Sequence, residues 1–137
     1  MKVLFIDTVH EHLASHLTRM DFECEDGTYL SREEIIGCIA GYDGVVIRSR
    51  IKLDREVLDA GIKLRFIARA GSGLENIDVE HAKMLGIKCI NAPEGADVKA
   101  NLRHAEIIRF FIAQHEGAAP QHLGQFLNRG NETRVFG

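Results

Sequence analysis

The chain has 137 residues, 45% of them hydrophobic, and a formal net charge of −3. That is enough apolar material for one domain with a sizeable core, and the negative balance gives no general attraction to nucleic acid or an anionic membrane, so any anion site must be local. No run of about 18 apolar residues occurs, and the chain opens directly on Met1-Lys2-Val3-Leu4-Phe5-Ile6-Asp7 without a basic leader, so a cytoplasmic protein that does not bind a membrane is the expectation.

Residues 2–7 read as a strand buried on both faces, and residues 10–20 as a helix with Leu13 and Leu17 on one side. A weaker edge strand is expected at 22–25. Ser31-Arg32-Glu33-Glu34 has the form of a capping box and opens a helix that buries Ile35, Ile36 and Ile39. Strand three is placed at 44–47, a helix at 54–60, strand four at 65–68, a helix at 79–85 ended by Gly86, and strand five at 87–91. Five strands alternating with short helices imply a flavodoxin-like, doubly wound, five-stranded parallel α/β sheet with helices on both faces. Residues 101–114 form a further helix, with Leu102, Ala105, Ile108, Phe111 and Ile112 at helical spacing. Gly117 to Pro120 then breaks the chain. Cys24, Cys38 and Cys89 are far apart, show no C-x-x-C or paired Cys/His spacing, and read as reduced core residues rather than metal ligands.

In an open parallel sheet a ligand lies beyond the carboxyl ends of the strands, where the strand order reverses. The loops at that edge are Asp7-Thr8, Arg48-Ser49-Arg50, residues 71–76, and Asn91-Ala92-Pro93. Gly71 and Gly73 let successive N–H groups converge on a carboxylate or phosphate, although an ordinary strand-to-helix turn would read the same way. Arg48 and Arg50 supply positive charge one unit earlier. A phosphoacceptor receiver needs an Asp at the end of strand three and a Lys at the end of strand five, where this chain has Arg48 and Asn91. A flavin domain needs a phosphate loop rich in hydroxyls and glycines after strand one, where this chain has Thr8-Val9-His10-Glu11. Neither reading holds.

Three segments, Ile47-Arg48-Ser49-Arg50, Ala68-Arg69-Ala70-Gly71-Ser72-Gly73-Leu74-Glu75-Asn76-Ile77-Asp78, and Gly86-Ile87 with Asn91-Ala92-Pro93-Glu94-Gly95, together resemble the substrate-binding domain of NAD-dependent D-2-hydroxyacid dehydrogenases, most closely the 3-phosphoglycerate dehydrogenase branch. The resemblance runs in unbroken order from Met1 to about Gly95. It implies that the amides of Ser72, Gly73 and Leu74 receive the substrate carboxylate, that Arg48 and Ser49 approach its anionic end, and that Asn76 lies beside the same loop. Arg69 belongs to the matched motif too, either as a ligand contact or as the partner of a carboxylate. In that family NAD and the catalytic Arg, Glu and His belong to a second domain with a G-x-G-x-x-G turn. The sequence contains no such turn, and none of its seven histidines lies in a segment matching the catalytic one. His81, His104, His115 and His122 are therefore expected to be solvated surface residues.

The remaining segments fit the same resemblance. Residues 96–116 occupy the place of the family's interdomain helix, and 117–137 resemble the returning C-terminal segment, a helix ending in Phe126-Leu127-Asn128-Arg129-Gly130 and a short basic extended stretch. The expectation is a single substrate-binding-type domain over 1–137, excised or naturally truncated, with its core at 1–95 and a junction near 115–120. It would bind no NAD or metal, would not be catalytic alone, and would hold a small 2-hydroxy or 2-oxo acid anion, phosphorylated or not, or serve as a scaffold. Phe110 and Phe111 would be uncovered on the former interdomain surface and favour a homodimer. The alternative is a regulatory or nucleic-acid-binding module that uses 107–127 as a helix-turn-helix, with Arg103, Arg109, Arg129 and Arg134 on phosphates.

Overall fold

The structure, a computed structural model, describes residues 1–71, 73–92, 98–114 and 134–136. In chain order it builds β1 (Lys2–Phe5), α1 (Glu11–Arg19), β2 (Glu23–Asp26), α2 (Arg32–Cys38), a 3-10 turn (Ile39–Gly41), β3 (Gly44–Ile47), α3 (Arg55–Ala60), β4 (Phe66–Ala70), α4 (Val79–Met84), β5 (Lys88–Ala92), α5 (Val98–Gln114) and β6 (Arg134–Phe136). The sheet order is β2-β1-β3-β4-β5-β6. The first five strands are parallel, as expected, and β6 is added antiparallel on the outer edge of β5.

Both faces of the sheet are covered, and the strand alternation explains how. Successive side chains point to opposite faces. Leu4 and Ile6 enter one core with Ile35, Ile39, Val57, Leu58 and Ala82 from α2, the 3-10 turn, α3 and α4. Val3 and Phe5 enter the other with Leu13 and Leu17 of α1 and Ala105, Ile108 and Phe111 of α5. The strands therefore carry continuous apolar runs, the pattern expected of a doubly covered parallel sheet. The helix assigned to the interdomain position is thus also a wall of the second core, with Ala105, Ile107 and Ile108 fully buried.

Local signals act as their chemistry predicts. Ser31 Oγ accepts the Glu34 amide at 3.2 Å, and Glu34 Oε1 accepts the Ser31 amide at 3.0 Å, closing the capping box. Ile35 and Ile39 are buried below it, while Ile36 is half-buried. Asp54 caps α3 through the Val57 amide and Asp78 caps α4 through the His81 amide. Gly86 ends α4 with φ +77°, a conformation glycine adopts without steric cost.

Several expectations need correction. Phe111 is buried in the second core and Phe110 packs partly against it, so this pair is not an uncovered apolar surface. His104 is 3% exposed, and the His81 side chain is 11% exposed with Nε2 2.7 Å from Asp59 Oδ1, so neither is a solvated surface residue. Cys89 is buried, whereas Cys24 and Cys38 are half-buried. Strand β4 runs to Ala70 rather than residue 68, which places Arg69 inside the strand. Arg134 lies in β6, within the stretch expected to be extended. His115, His122, Arg129, the break at 117–120 and the helix ending at Gly130 lie outside the described residues. No helix among the described residues is long and apolar enough to cross a membrane.

Candidate functional site

The strand order reverses between β1 and β3, and the carboxyl ends of those strands open onto a cavity of about 350 Å³ lined by Asp7, Thr8, Thr28, Arg48, Ser49 and Arg50. A second cavity of about 310 Å³ shares Asp7, Thr8 and Thr28 and continues toward Val9 and Cys24. Thr28 is held by Asp26, whose Oδ1 accepts its amide at 2.9 Å and its hydroxyl at 2.7 Å, and these bonds keep the Asp26 carboxyl below the usual carboxylate range.

The three basic residues of the site have different tasks. Arg50 is committed to the main chain, donating from Nε and Nη2 to the Ile6 carbonyl at 3.1 and 2.7 Å, from Nη1 to Leu30 at 2.8 Å, and from Nη2 to Gly27 at 3.3 Å. It ties the ends of β1 and β2 together. Arg69 donates from Nε to the Arg48 carbonyl and to Asn76 Oδ1, both at 3.1 Å, so that nitrogen is committed to the protein. Arg48 has its main chain fixed, with its amide donating to Asp7 Oδ2 at 2.5 Å, while its side chain is exposed at the cavity and reaches the Thr8 carbonyl at 3.3 Å. Ser49 is exposed beside it.

On the far side of Arg48 lies the glycine loop. Gly71 has φ +153°, its amide donates to the Ala92 carbonyl at 2.6 Å, and the Arg69 guanidinium occupies the space where a Cβ would stand. Only glycine combines that backbone conformation with that close approach. The Leu74 side chain packs on the first core, and the amides of Gly73 and Leu74 donate to no acceptor among the described residues. Ser72 lies outside the described residues. Two amides with no partner among the described residues are the elements of an anion cradle.

Asn76 is bonded to both loops. Its Nδ2 donates to the carbonyls of Arg48 at 3.0 Å and Ile51 at 3.2 Å, and its Oδ1 accepts from Arg69. Among the described residues Oδ1 accepts only that one bond and keeps a second lone pair, to which a substrate hydroxyl could donate with all three bonds intact. Two residues of consequence were not anticipated as site residues. Asp7 is 7% exposed and organises the basic loop from below, a role its position at the end of the first strand signals. The Glu75 carboxylate lies over Gly73, directly against the cradle, and is exposed.

A dinucleotide would require a glycine-rich turn whose amides meet the pyrophosphate at a helix N-terminus. The turn between β1 and α1 does not fit it. That turn offers the Asp7 carboxylate, and the α1 N-terminus is already capped by His10, whose Nδ1 accepts the His12 amide at 3.3 Å.

Residues 3–100 match the family model described as D-isomer specific 2-hydroxyacid dehydrogenase, catalytic domain. The chain is 40% identical over 95 residues to D-3-phosphoglycerate dehydrogenase of Archaeoglobus fulgidus, covering 69% of this chain and 18% of that protein. It is 45% identical over 95 residues to hydroxypyruvate reductase of Thermotoga maritima, covering 69% of this chain and 31% of that protein. Among solved structures, NAD+-bound 3-phosphoglycerate dehydrogenase of Entamoeba histolytica superposes with a TM-score of 0.58 at 32% identity, covering 68% of this chain and 33% of that one. The chain thus spans about a fifth of the length of the Archaeoglobus and Synechocystis 3-phosphoglycerate dehydrogenases and about a third of the Entamoeba one. With the glycine loop, the basic loop and the parallel sheet all inside the matched residues, the chain belongs to the D-isomer specific 2-hydroxyacid dehydrogenase family.

Proposed function

We propose that this chain recognises a small 2-hydroxy or 2-oxo acid anion, phosphorylated at its far end, and supplies substrate binding without catalysing the reaction by itself. The observation that carries this reading is the pair of amides at Gly73 and Leu74, without a partner among the described residues and one loop away from the exposed Arg48 side chain. In the binding mode, the Ser72, Gly73 and Leu74 amides receive the carboxylate, Arg48 faces the phosphate, and Ser49 with Thr8 or Thr28 meets hydroxyls. Arginine suits the phosphate position because its planar fork donates two parallel hydrogen bonds. The names of the relatives, 3-phosphoglycerate dehydrogenase and hydroxypyruvate reductase, support an acid of this class. The chain brings no NAD site of its own in this reading, so hydride transfer needs a dinucleotide bound by other residues.

The experiment is a two-dimensional NMR titration of the labelled chain with 3-phosphoglycerate, and with NADH in a parallel sample. Shifts confined to the amides of 48–50 and 71–76 with the acid, and none with NADH, are expected. An acid titration that leaves the Gly73 and Leu74 amides in place would refute the binding mode.

The nucleic-acid alternative has less to stand on, because Ile107 and Ile108 of its first helix are buried in the core. A homodimer through Phe110 and Phe111 loses its motive with the burial of Phe111.

A further inference from the structure

We infer that Asn76 and Arg69 are positioning residues that lock the basic loop and the anion cradle into one rigid unit, so that the two halves of the site cannot be set independently. The Arg48 peptide is held from both ends. Its amide donates to Asp7, and its carbonyl accepts from Asn76 Nδ2 and Arg69 Nε at 3.0 and 3.1 Å. Asn76 reaches further along the same loop to the Ile51 carbonyl, and receives Arg69 on its own oxygen. The Asn76 and Arg69 side chains and the Arg48 carbonyl thereby form a closed ring of hydrogen bonds, in which each member fixes the orientation of the next.

The main chain repeats the connection. The Leu53 amide donates to the Asn76 carbonyl at 2.8 Å and the Asp78 amide to the Leu53 carbonyl at 3.0 Å, a short parallel bridge between Leu53 and Ile77 beyond the main sheet. Arg69 extends the unit into the cradle, because its guanidinium fills the space above Gly71. The loop 48–53 is thus fastened to 71–78 at four carbonyls, those of Arg48, Ile51, Leu53 and Asn76. The consequence for recognition is geometric. Arg48 is aimed relative to the Gly73 and Leu74 amides through its own main chain, and the spacing between carboxylate and phosphate subsites is set by Asn76 with Arg69. That consequence rests on the binding mode proposed above, whereas the rigid unit stands without it.

The test has two arms, both on the 137-residue chain. In the ligand-free arm, amide hydrogen exchange is compared between wild type, Asn76→Ala and Arg69→Lys; the second variant keeps the charge and serves if the first does not fold. Exchange at Arg48, Leu53 and Asp78 should accelerate together by roughly tenfold or more, with Val46 and Ala68 in the strands unchanged. Unchanged exchange at those three amides in a folded variant overturns the inference, whatever the ligand result. In the ligand arm, affinities for glycerate and 3-phosphoglycerate are measured by the same NMR titration. Wild type should prefer the phosphorylated acid, and the preference should fall toward one in either variant although Arg48 is intact; a merely structural weakening would lower both affinities alike and keep the preference. A preference kept while exchange accelerates overturns the aiming of Arg48. Wild type binding neither acid would sink the proposed function, and the exchange arm would still decide the rigid unit.

Discussion

His104 provides a quantitative test of how this chain trades burial against charge. It lies on α5 with 3% exposure, and its Nε2 is buried without a hydrogen-bond partner. Burial removes water from the imidazolium and pushes its pKa down from 6.5 to about 4. The folded value is below the unfolded one, so the unfolded chain takes up this proton first. The stability His104 allows is therefore complete above pH about 6.5 and is lost as the pH falls toward 4. A gap of this size corresponds to roughly 3 kcal/mol in full, of which about 2 kcal/mol disappears between about pH 7 and pH 5. Replacing His104 by Leu removes the titration and keeps an apolar side chain of similar volume in the core. Urea unfolding followed by far-UV circular dichroism at the two pH values should show wild type losing ~2 kcal/mol more than His104→Leu over that interval. Carboxylates and the remaining histidines titrate in both proteins and cancel in the comparison. Parallel pH dependences for the two proteins would mean that His104 is hydrated or paired in solution, and would refute the reasoning.

Further outcomes follow at the site. Gly71→Ala should destabilise the chain by about 1–3 kcal/mol in the same urea assay, because φ +153° is unfavourable for an L side chain and the new Cβ would meet the Arg69 guanidinium. Full retention of stability would contradict that close approach. Glu75→Gln should strengthen binding of 3-phosphoglycerate several-fold, since it removes a carboxylate that faces the cradle at Gly73, and the gain should shrink at high salt. Arg48→Ala should weaken 3-phosphoglycerate more than glycerate in an NMR titration; equal losses would remove the phosphate role.

Much of the fold was legible because it is written in local chemistry. The continuous apolar runs at Val3 to Ile6 and Val45 to Ile47, the capping box at Ser31 and the glycine at 86 each carry their own structural instruction, and each element stands within a few residues of its expected place. The errors lie where tertiary partners decide. His104 shares a helical face with Ile108, Phe111 and Ile112, at i+4, i+7 and i+8, so its burial was visible in the spacing, but a polar residue type pulled the reading to the surface. Phe111 was placed outside because it was assumed to face a missing neighbour, whereas α1 supplies that neighbour within the chain. The antiparallel pairing of β6 with β5 depends on contacts between residues over 40 positions apart, which no local pattern reports. At the site, residue types alone placed the glycine loop and Arg48 at one edge. They could not distinguish loops left loose from loops braced by Asn76 through three protein groups, because those partners meet only in the fold.

That distinction bears on affinity. The shape of the binding loops is maintained by groups within the chain: Asp7 under Arg48, Arg50 across the ends of β1 and β2, and Asn76 with Arg69 between the two halves. A preorganised site loses little conformational freedom on binding, so its affinity is limited by the number of contacts it can offer rather than by the cost of ordering them. Among the described residues this face offers few contacts: the Gly73 and Leu74 amides, the Arg48 guanidinium and neighbouring hydroxyls. Charge-assisted hydrogen bonds contribute about 1.5–3 kcal/mol each, and the loss of translational and rotational freedom offsets a large part of their sum. A dissociation constant on the order of 1 mM for 3-phosphoglycerate is expected. Calorimetry or the NMR titration itself checks it. A value below about 1 μM would require several kcal/mol more than these loops supply, and would locate substantial ligand contacts elsewhere in the chain.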